Sequence, residues 1–262
     1  MTFLSKESSD WVNGFERDGF VIVPDVLPES IVNQLIDSLR ANDESRASPL
    51  FRESTYAIRN LLQAVPEVRR LAESVAIRSL VEAVLGAGAF PVRGLFFDKT
   101  EQANWKVLWH QDLTIAVRRR IEAPGFGPWS VKAGVPHVQP PIEVLERMVT
   151  LRLHLDDCAE QNGPLRVLPT SHQSGRLSAR AIQELRGRIP AVSCVTRRGS
   201  ALLMRPLLVH ASSPAHSPTH RRVVHLESAA ERLPGGLEWV KADDAIESKL
   251  DHLGTPCAGR PS

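Results

Sequence analysis

From residue 89 onward the chain is a succession of short apolar segments separated by turn residues, and this pattern limits the folds available to it. The segments are rich in β-branched, leucine and aromatic side chains, which favour strands. Asn162-Gly163 stands between two of them and favours a tight turn, because both residues tolerate positive φ. Many short strands predict a β-sandwich or barrel with helices packed outside. The predicted strands lie at 91–97, 107–110, 148–155, 165–168, 201–204, 207–210 and 222–226.

Residues 1–88 have a different, mostly helical pattern. An apolar repeat on one helix face follows Pro28 and predicts a helix, and a second repeat at 68–85 predicts another. The short β-branched segment Gly19–Pro24 predicts a strand ahead of both helices. Helices at this end of the chain could therefore cover a sheet formed by the later strands.

We expect the whole chain, 1–262, to form a single domain. Its parts are a mostly helical N-terminal part (1–88), a strand-rich core (89–228) and a peripheral C-terminal tail (229–262). A long irregular insertion at 113–146 interrupts the core, and its apolar and aromatic content favours an ordered lid.

The charge and the cysteine pattern exclude several classes of protein. A net charge of +2 argues against nucleic-acid binding driven by electrostatics. No segment reaches the about 18 consecutive apolar residues that span a bilayer, and the N-terminus has no apolar signal-peptide core. Cys158, Cys194 and Cys257 stand far apart, as is typical of a reducing cytoplasm. We therefore expect a cytoplasmic protein with no nucleic-acid or membrane partner. The sequence does not indicate an oligomeric state.

The tetrapeptide Trp109-His110-Gln111-Asp112 carries the strongest chemical signal. His110 and Asp112 are two residues apart, so both side chains leave the same face of an extended strand. An imidazole and a carboxylate on one face supply two ligands of a 2-His-1-carboxylate triad, which leaves positions open on non-haem Fe(II). His210, at the end of an apolar run, is the best candidate for the third ligand.

Three further histidines compete with His210 for the metal. His216 lies in a Ser/Pro-rich segment that favours a surface turn, and His220 begins the next predicted strand. His225 lies further along that strand, where packing or hydrogen bonding is favoured over ligation. An arginine on the same strand could pair with a carboxylate of a bound acid.

Taken together, these residues resemble the phytanoyl-CoA dioxygenase family of Fe(II)/2-oxoglutarate oxygenases. The resemblance runs from about residue 15 to about residue 228, and its motifs follow the family's order and spacing. One departure is Thr170, where relatives usually have glycine; it affects a turn rather than the metal. The matching segments are Asp18–Val23, His110–Asp112, Leu155–Asp157, Asn162–His172, His210–Ser212 and Arg221.

The resemblance implies a fold, a ligand set and a cosubstrate site. The fold is a mainly β double-stranded β-helix, a cupin-like jelly roll, with N-terminal helices buttressing one sheet. His110, Asp112 and His210 would hold Fe(II). Arg221, helped by the Ser212 hydroxyl, would bind the distal carboxylate of 2-oxoglutarate. Arg222 is the rival arginine, but it points to the opposite strand face.

The resemblance also implies a reaction. With O2 and 2-oxoglutarate, such an enzyme hydroxylates an unactivated carbon and releases succinate and CO2. Related halogenases keep a small residue at the carboxylate position, so Asp112 disfavours halogenation. Desaturation or ring closure would need no different ligands. Two other classes stay open: a cupin-type iron dioxygenase that does not use 2-oxoglutarate, and a jelly-roll protein that binds a metal or ligand without turnover.

Several polar residues could contact the cosubstrate or substrate. Thr150, Arg152 and His154 alternate with leucines, so their face of the strand lies toward either a cavity or solvent. The resemblance favours the cavity and makes Arg152 a candidate contact. Glu227, just past the last predicted strand, is expected to be structural or solvated. The other substrate candidates, for a small polar or anionic molecule, are Trp105, Lys106, His137 and His154.

Overall fold

Two antiparallel sheets face each other in the computed structural model, which describes residues 7–45, 57–101, 103–216, 220–241 and 244. The larger sheet has six strands and the smaller has four. A third, three-stranded sheet lies in the insertion. The strands are β1 (Phe20–Val23), β2 (Ala57–Ile58), β3 (Phe90–Lys99), β4 (Val107–His110), β5 (Ile115–Ala116), β6 (Trp129–Lys132), β7 (Val135–Val138), β8 (Met148–His154), β9 (Leu165–Val167), β10 (Val192–Cys194), β11 (Ala201–Met204), β12 (His210–Ser212) and β13 (Arg221–Ala229).

The strand order identifies a jelly roll, which confirms the fold class expected from the sequence. The larger sheet has the order β1-β11-β8-β13-β3-β2 and the smaller the order β10-β9-β12-β4. Strands that are distant in the chain are therefore neighbours, as in a double-stranded β-helix. In the described part of the chain, no helix combines the length and apolar character needed to cross a membrane.

Helices from the N-terminal part cover the outer face of the larger sheet, as expected. Leu151, Leu153 and Val224 of the sheet share one apolar core with Leu35 and Val81 of these helices. The predicted helix at 68–85 is two helices, because the Ser74 side chain caps the second one by accepting a hydrogen bond from the Ile77 amide. The helices are α1 (Glu7–Asp18), α2 (Glu29–Ser45), α3 (Leu61–Ala64), α4 (Pro66–Ala72), α5 (Val75–Leu85), α6 (Ile142–Glu146) and α7 (Ala179–Arg186).

The alternation in β8 gives the jelly roll a polar interior. Its leucines pack against the helices, so Thr150, Arg152 and His154 point toward the smaller sheet, and all three are buried. Of the two interpretations that the pattern left open, the inward one is correct. The space between the sheets is therefore lined by hydrogen-bonding and charged groups.

The insertion at 113–146 contains β5, β6, β7 and α6, with the strand order β5-β7-β6. Ile115, Val117 and Val138 share an apolar core with Leu237 and Trp239, and Val117 forms an isolated β-bridge with Trp239. The expected peripheral tail is therefore wrong for residues 229–241, because their apolar side chains are buried against the insertion. Cys257 and the rest of the tail beyond residue 244 lie outside the described residues.

Thr170 occupies a left-handed turn. Its φ is 67°, and its amide donates a hydrogen bond of 2.9 Å to the Asp18 carbonyl. A β-branched residue is strained in this region, whereas glycine adopts it without a Cβ clash.

We expect Thr170→Gly to raise the free energy of unfolding by about 1 kcal/mol, because it relieves this strain. Chemical denaturation at constant m-value measures the change. Thr170→Ala, which keeps a Cβ, should gain less. An unchanged or lowered midpoint for the glycine variant would show that the turn stores no strain.

Candidate metal centre and cosubstrate pocket

Two neighbouring strands of the smaller sheet bring His110 and His210 together. The residues are direct cross-strand partners in β4 and β12, and their ring centroids lie 4.2 Å apart. Asp112 lies beyond the end of β4, not on the strand as the sequence suggested. Its amide donates a hydrogen bond of 2.9 Å to the Pro206 carbonyl, and this bond turns the chain so that the carboxylate meets both histidines.

The donor atoms of these three side chains fit a metal ion. The Nε2 atoms of His110 and His210 lie 3.6 and 3.7 Å from the Asp112 carboxylate oxygens, and all three donors lie within 4.8 Å of one another. The Nδ1 atoms of His110 and His210 lie 2.8 and 2.9 Å from the carbonyls of Leu108 and Leu208. A carbonyl only accepts hydrogen bonds, so Nδ1 carries the proton and Nε2 has a free lone pair.

The centre is closed on one side and open on the other. The His210 side chain is 6% exposed, whereas those of His110 and Asp112 are 40% and 33% exposed. Three protein ligands on one face with an accessible opposite side match the facial arrangement that non-haem Fe(II) requires.

The charge state also suits a divalent cation. Burial lowers the pKa of His210 to about 4, so its imidazole is neutral at neutral pH. Burial would raise the pKa of Asp112, but His210 and His110 outweigh it and hold this pKa well below its usual range. Burial would lower the pKa of His110, but Asp112 outweighs it and raises this pKa above its usual value. The set therefore offers a neutral imidazole at His210, a carboxylate at Asp112 and, at His110, an imidazole from which a bound cation would displace any proton.

Gln111, between two of the ligands, points the other way and anchors the segment. Its amide nitrogen donates hydrogen bonds of 2.7 Å to the carbonyls of Gly175 and Leu207, and its oxygen accepts one of 2.8 Å from the Leu177 amide. Both N–H donors and the oxygen of this side chain therefore hold the loop that carries Asp112. Sequence reasoning assigned Gln111 no such positioning role.

Three cations cluster on the inner face of the larger sheet, and we call this cluster the cation pocket. Arg221 is buried at the start of β13 and donates a hydrogen bond to the Gly163 carbonyl. Lys99, its cross-strand partner on β3, donates bonds of 3.0 Å to Ser212 Oγ and 2.7 Å to the Ser213 carbonyl. Arg152 on β8 completes the set.

These cations lack counter-ions. None of Lys99, Arg152 and Arg221 forms an ion pair with a carboxylate in the described part of the chain, and Nε of both arginines is buried without a hydrogen-bond partner. Burial and the neighbouring cations lower the pKa of Lys99 to about 7, and burial and Arg221 lower that of Arg152 to about 10. An anion bound here would satisfy the orphaned donors and restore the usual charge states.

Lys99 belongs to the cation pocket, and sequence reasoning did not name it. The predicted strand ended at Phe97, whereas β3 continues to Lys99. Residues two apart on a strand share a face, so extending the predicted strand by two residues would have put Lys99 on the same inward face as Leu95.

The two rival arginines have different partners. Arg222 points away from the cation pocket and forms a two-point ion pair with Asp156, of 2.9 and 2.6 Å. Arg221 has no such partner. The two side chains were expected on opposite faces of the strand, and this geometry agrees.

The remaining candidate residues are dispersed. Trp105 lies beside the cation pocket, with Lys99 Nζ 5.6 Å from its ring centroid. His154 is near Arg221 and its Nδ1 lies 2.8 Å from Thr196 Oγ1. Lys106 is exposed. His137 is buried in the insertion.

The other histidines do not join the triad. His216 is exposed, and His220 pairs with Asp98 at 2.7 Å. His225 accepts a hydrogen bond of 3.0 Å from Arg152. Glu227 lies within β13 and is buried, not solvated, because Arg93 pairs with it at 3.0 Å.

A jelly roll that carries two histidines and one carboxylate at an open site defines the class of cupin-like non-haem iron oxygenases. The family model for phytanoyl-CoA dioxygenase matches residues 15–223. The chain belongs to this family, which depends on Fe(II), 2-oxoglutarate and O2.

The chain matches known relatives at low sequence identity. The chain is 22% identical to an ectoine dioxygenase of Bordetella parapertussis over 65% of its own length and 51% of that protein, about half. It is 25% identical to an L-proline trans-4-hydroxylase of Streptomyces griseoviridis, over 80% of this chain and 82% of that protein. The carbocyclase SnoK of nogalamycin biosynthesis superposes with a TM-score of 0.65 at 18% identity, covering 86% of this chain and 84% of SnoK. The structural likeness bears on the fold alone.

Proposed function

We propose that the protein hydroxylates an unactivated carbon of a small polar or anionic molecule, using Fe(II), O2 and 2-oxoglutarate and releasing succinate and CO2. His110, Asp112 and His210 would hold the iron. The observation that carries this proposal is the juxtaposition of an open three-ligand site with a pocket of unpaired buried cations. When bound, the iron supplies the oxidising chemistry that side chains lack.

The cation pocket is the proposed site for the distal carboxylate of 2-oxoglutarate. Arg221 offers a planar pair of donors, and Lys99 and the Ser212 hydroxyl lie beside it. Arg152 lies closer to the triad, where it would help hold the cosubstrate or the substrate. These residues position the cosubstrate and keep its charge out of water.

The unpaired cations favour this function over the two other classes. A cupin-type dioxygenase that does not use 2-oxoglutarate, or a metal-binding protein without turnover, would gain nothing from burying Lys99 and Arg221 without a carboxylate. Asp112 disfavours halogenation, and the two curated relatives are hydroxylating enzymes of small molecules, ectoine and L-proline.

The cysteine pattern favours a cytoplasmic location.

The test is an anaerobic titration of the apoprotein with Fe(II) and then 2-oxoglutarate, followed by visible spectroscopy. We expect an iron-to-oxoacid charge-transfer band that saturates at one equivalent per chain. Iron bound without any band on addition of 2-oxoglutarate would contradict the proposal and favour a dioxygenase of the other type.

The lowered pKa of Lys99 predicts proton uptake when 2-oxoglutarate binds. With a pKa of about 7, Lys99 is largely neutral at pH 8, and a bound dianion would raise its pKa. The affinity for 2-oxoglutarate should therefore fall as the pH rises above about 7, by at most about tenfold per pH unit. Below about pH 7, Lys99 is already protonated and should not change this affinity. Calorimetry at pH 8 in buffers of different ionisation enthalpy measures the uptake.

Lys99→Met should abolish the uptake, whereas Lys241→Met, which removes an exposed lysine, should preserve it. Equal uptake in wild type and Lys99→Met would show that Lys99 is not the group that gains the proton.

A further inference from the structure

A second polar cluster lies along the inner face, away from the cation pocket. Arg93 and Glu227 are cross-strand partners on β3 and β13, six residues from Lys99 and Arg221 respectively, which is about 20 Å along the strands. Lys132 and His137 of the insertion lie near this pair. We call Arg93, Lys132, His137 and Glu227 the lid-side cluster.

Within this cluster Arg93 and Glu227 neutralise each other. Their side chains are 11% and 9% exposed, and the ion pair measures 3.0 Å. Arginine can only donate, so the contact from Arg152 makes His225 Nδ1 an acceptor and leaves the proton on Nε2, which faces Glu227 at 3.5 Å. Glu227 is therefore held from two sides, and its carboxylate is already paired.

Lys132 is the unpaired charge of the cluster. It lies at the end of β6, and its ammonium donates a hydrogen bond of 3.0 Å to Thr114 Oγ1, two residues after Asp112. No carboxylate of the described residues forms an ion pair with Lys132. Burial and the cations Arg93 and Arg59 lower the pKa of Lys132, and the carboxylates of Glu227 and Asp112 offset this only in part.

His137 offers an unused acceptor beside this cation. It is 1% exposed, and its Nδ1 lies 2.9 Å from the Val135 carbonyl, so Nδ1 carries the proton. Nε2 is buried without a hydrogen-bond partner. Burial and Arg93 lower the pKa of His137 to about 4, so at neutral pH Nε2 is a lone-pair acceptor. An orphaned acceptor of this kind is costly unless a ligand supplies the donor.

We propose that Lys132 binds a carboxylate of the primary substrate and that His137 accepts a hydrogen bond from an N–H or O–H of the same molecule. The substrate class is a small carboxylic acid with a neighbouring donor, as in an α-amino or α-hydroxy acid. This inference rests on the proposed function: Lys132 bonds to Thr114, two residues after the proposed ligand Asp112, whereas the proposed cosubstrate site lies at the other end of the β3–β13 pairing. Lys132 is a specificity-determining residue in this arrangement.

The test uses the anaerobic protein loaded with Fe(II) and 2-oxoglutarate. The probes are the proteinogenic L-α-amino acids, the matching L-α-hydroxy acids and the primary amides of both. A probe that enters beside the iron changes its coordination and shifts the visible band, so the band reports a dissociation constant. We expect one or more acids to bind and their amides to bind at least about tenfold more weakly, since a charge-assisted bond is lost.

Variants separate the charge of Lys132 from its structural role. Lys132→Met should weaken binding of the acid at least about tenfold and leave the amide unaffected, whereas Lys132→Arg should retain most of the affinity. Lys241→Met is the matched control and should bind like wild type. The 2-oxoglutarate band itself should form in all four proteins, which shows that each is folded.

Three results would overturn the inference: no acid shifts the band, amides bind as tightly as acids, or Lys132→Met binds the acid like wild type. Each leaves the proposed function intact as long as the band forms. Failure to form the band at all counts instead against the proposed function.

Discussion

Replacing His210 by alanine is expected to abolish the absorption band that the wild-type protein forms with Fe(II) and 2-oxoglutarate, and turnover with it. The triad has three donors within 4.8 Å, and removing one leaves two that cannot define a facial site. Loss of an outer partner of a metal ligand already costs about 10–100-fold in affinity. Loss of the ligand itself should exceed this range. Equilibrium dialysis against Fe(II) and visible spectroscopy measure the two effects.

His216→Ala is the matched control for this experiment. His216 is exposed, and its backbone amide donates a hydrogen bond to the Gln161 carbonyl. Its imidazole ring should therefore contribute nothing to iron binding. We expect the variant to bind Fe(II) and form the band like wild type. Full iron affinity in His210→Ala, or its loss in His216→Ala, would contradict the proposed ligand set.

The metal centre could be predicted because its residues are marked by local pattern. A two-residue spacing pairs His110 with Asp112, and an apolar run marks His210 as the end of an interior strand. The sequence could not predict the hydrogen bond between the Asp112 amide and the Pro206 carbonyl, because these two residues are distant in the chain. This bond holds Asp112 beyond the end of β4. The spacing was therefore informative although the local structure differs from a strand.

The cation pocket and the lid-side cluster are harder to predict because cross-strand register creates them. Lys99 meets Arg221, and Arg93 meets Glu227, only when β3 pairs with β13 in the observed register. A one-residue slip would turn each pair to opposite faces of the sheet. Glu227 was expected to be structural or solvated, and the sequence could not decide between the two because its partner Arg93 lies 134 residues away.

The insertion and the C-terminal segment show the same limit. Trp239 is buried because it forms a bridge with Val117 and packs on Leu237 and Val138. Nothing close to Trp239 in the sequence indicates this pairing. The short apolar stretch with glycines around it therefore predicted a peripheral tail. Tertiary contact, rather than local propensity, decides its structure.

Replacing Arg221 by alanine should raise the dissociation constant for 2-oxoglutarate at least about 30-fold, with little change in Fe(II) affinity. Truncating one partner of a buried, charge-assisted contact costs about 2–5 kcal/mol, and every 1.4 kcal/mol is tenfold. Arg221 is buried, has an unsatisfied Nε and forms no ion pair with a described carboxylate, so a dicarboxylate would supply its missing counter-ion. Titration of the Fe(II)-loaded protein with 2-oxoglutarate, followed at the visible band, measures the constant.

Arg222→Ala separates cosubstrate binding from the general loss of a charge on β13. The Arg222 guanidinium pairs with Asp156 away from the pocket, so its removal should lower the thermal midpoint and leave the 2-oxoglutarate constant within about twofold of wild type. Arg221→Lys should fall between wild type and alanine, because a lysine keeps the charge and loses the planar pair of donors. An unchanged constant in Arg221→Ala, with the band still formed, would contradict the proposed role of Arg221 in binding the distal carboxylate. Equal weakening in Arg221→Ala and Arg222→Ala would mean that both act through the stability of β13, because only one of the two side chains lies in the cation pocket.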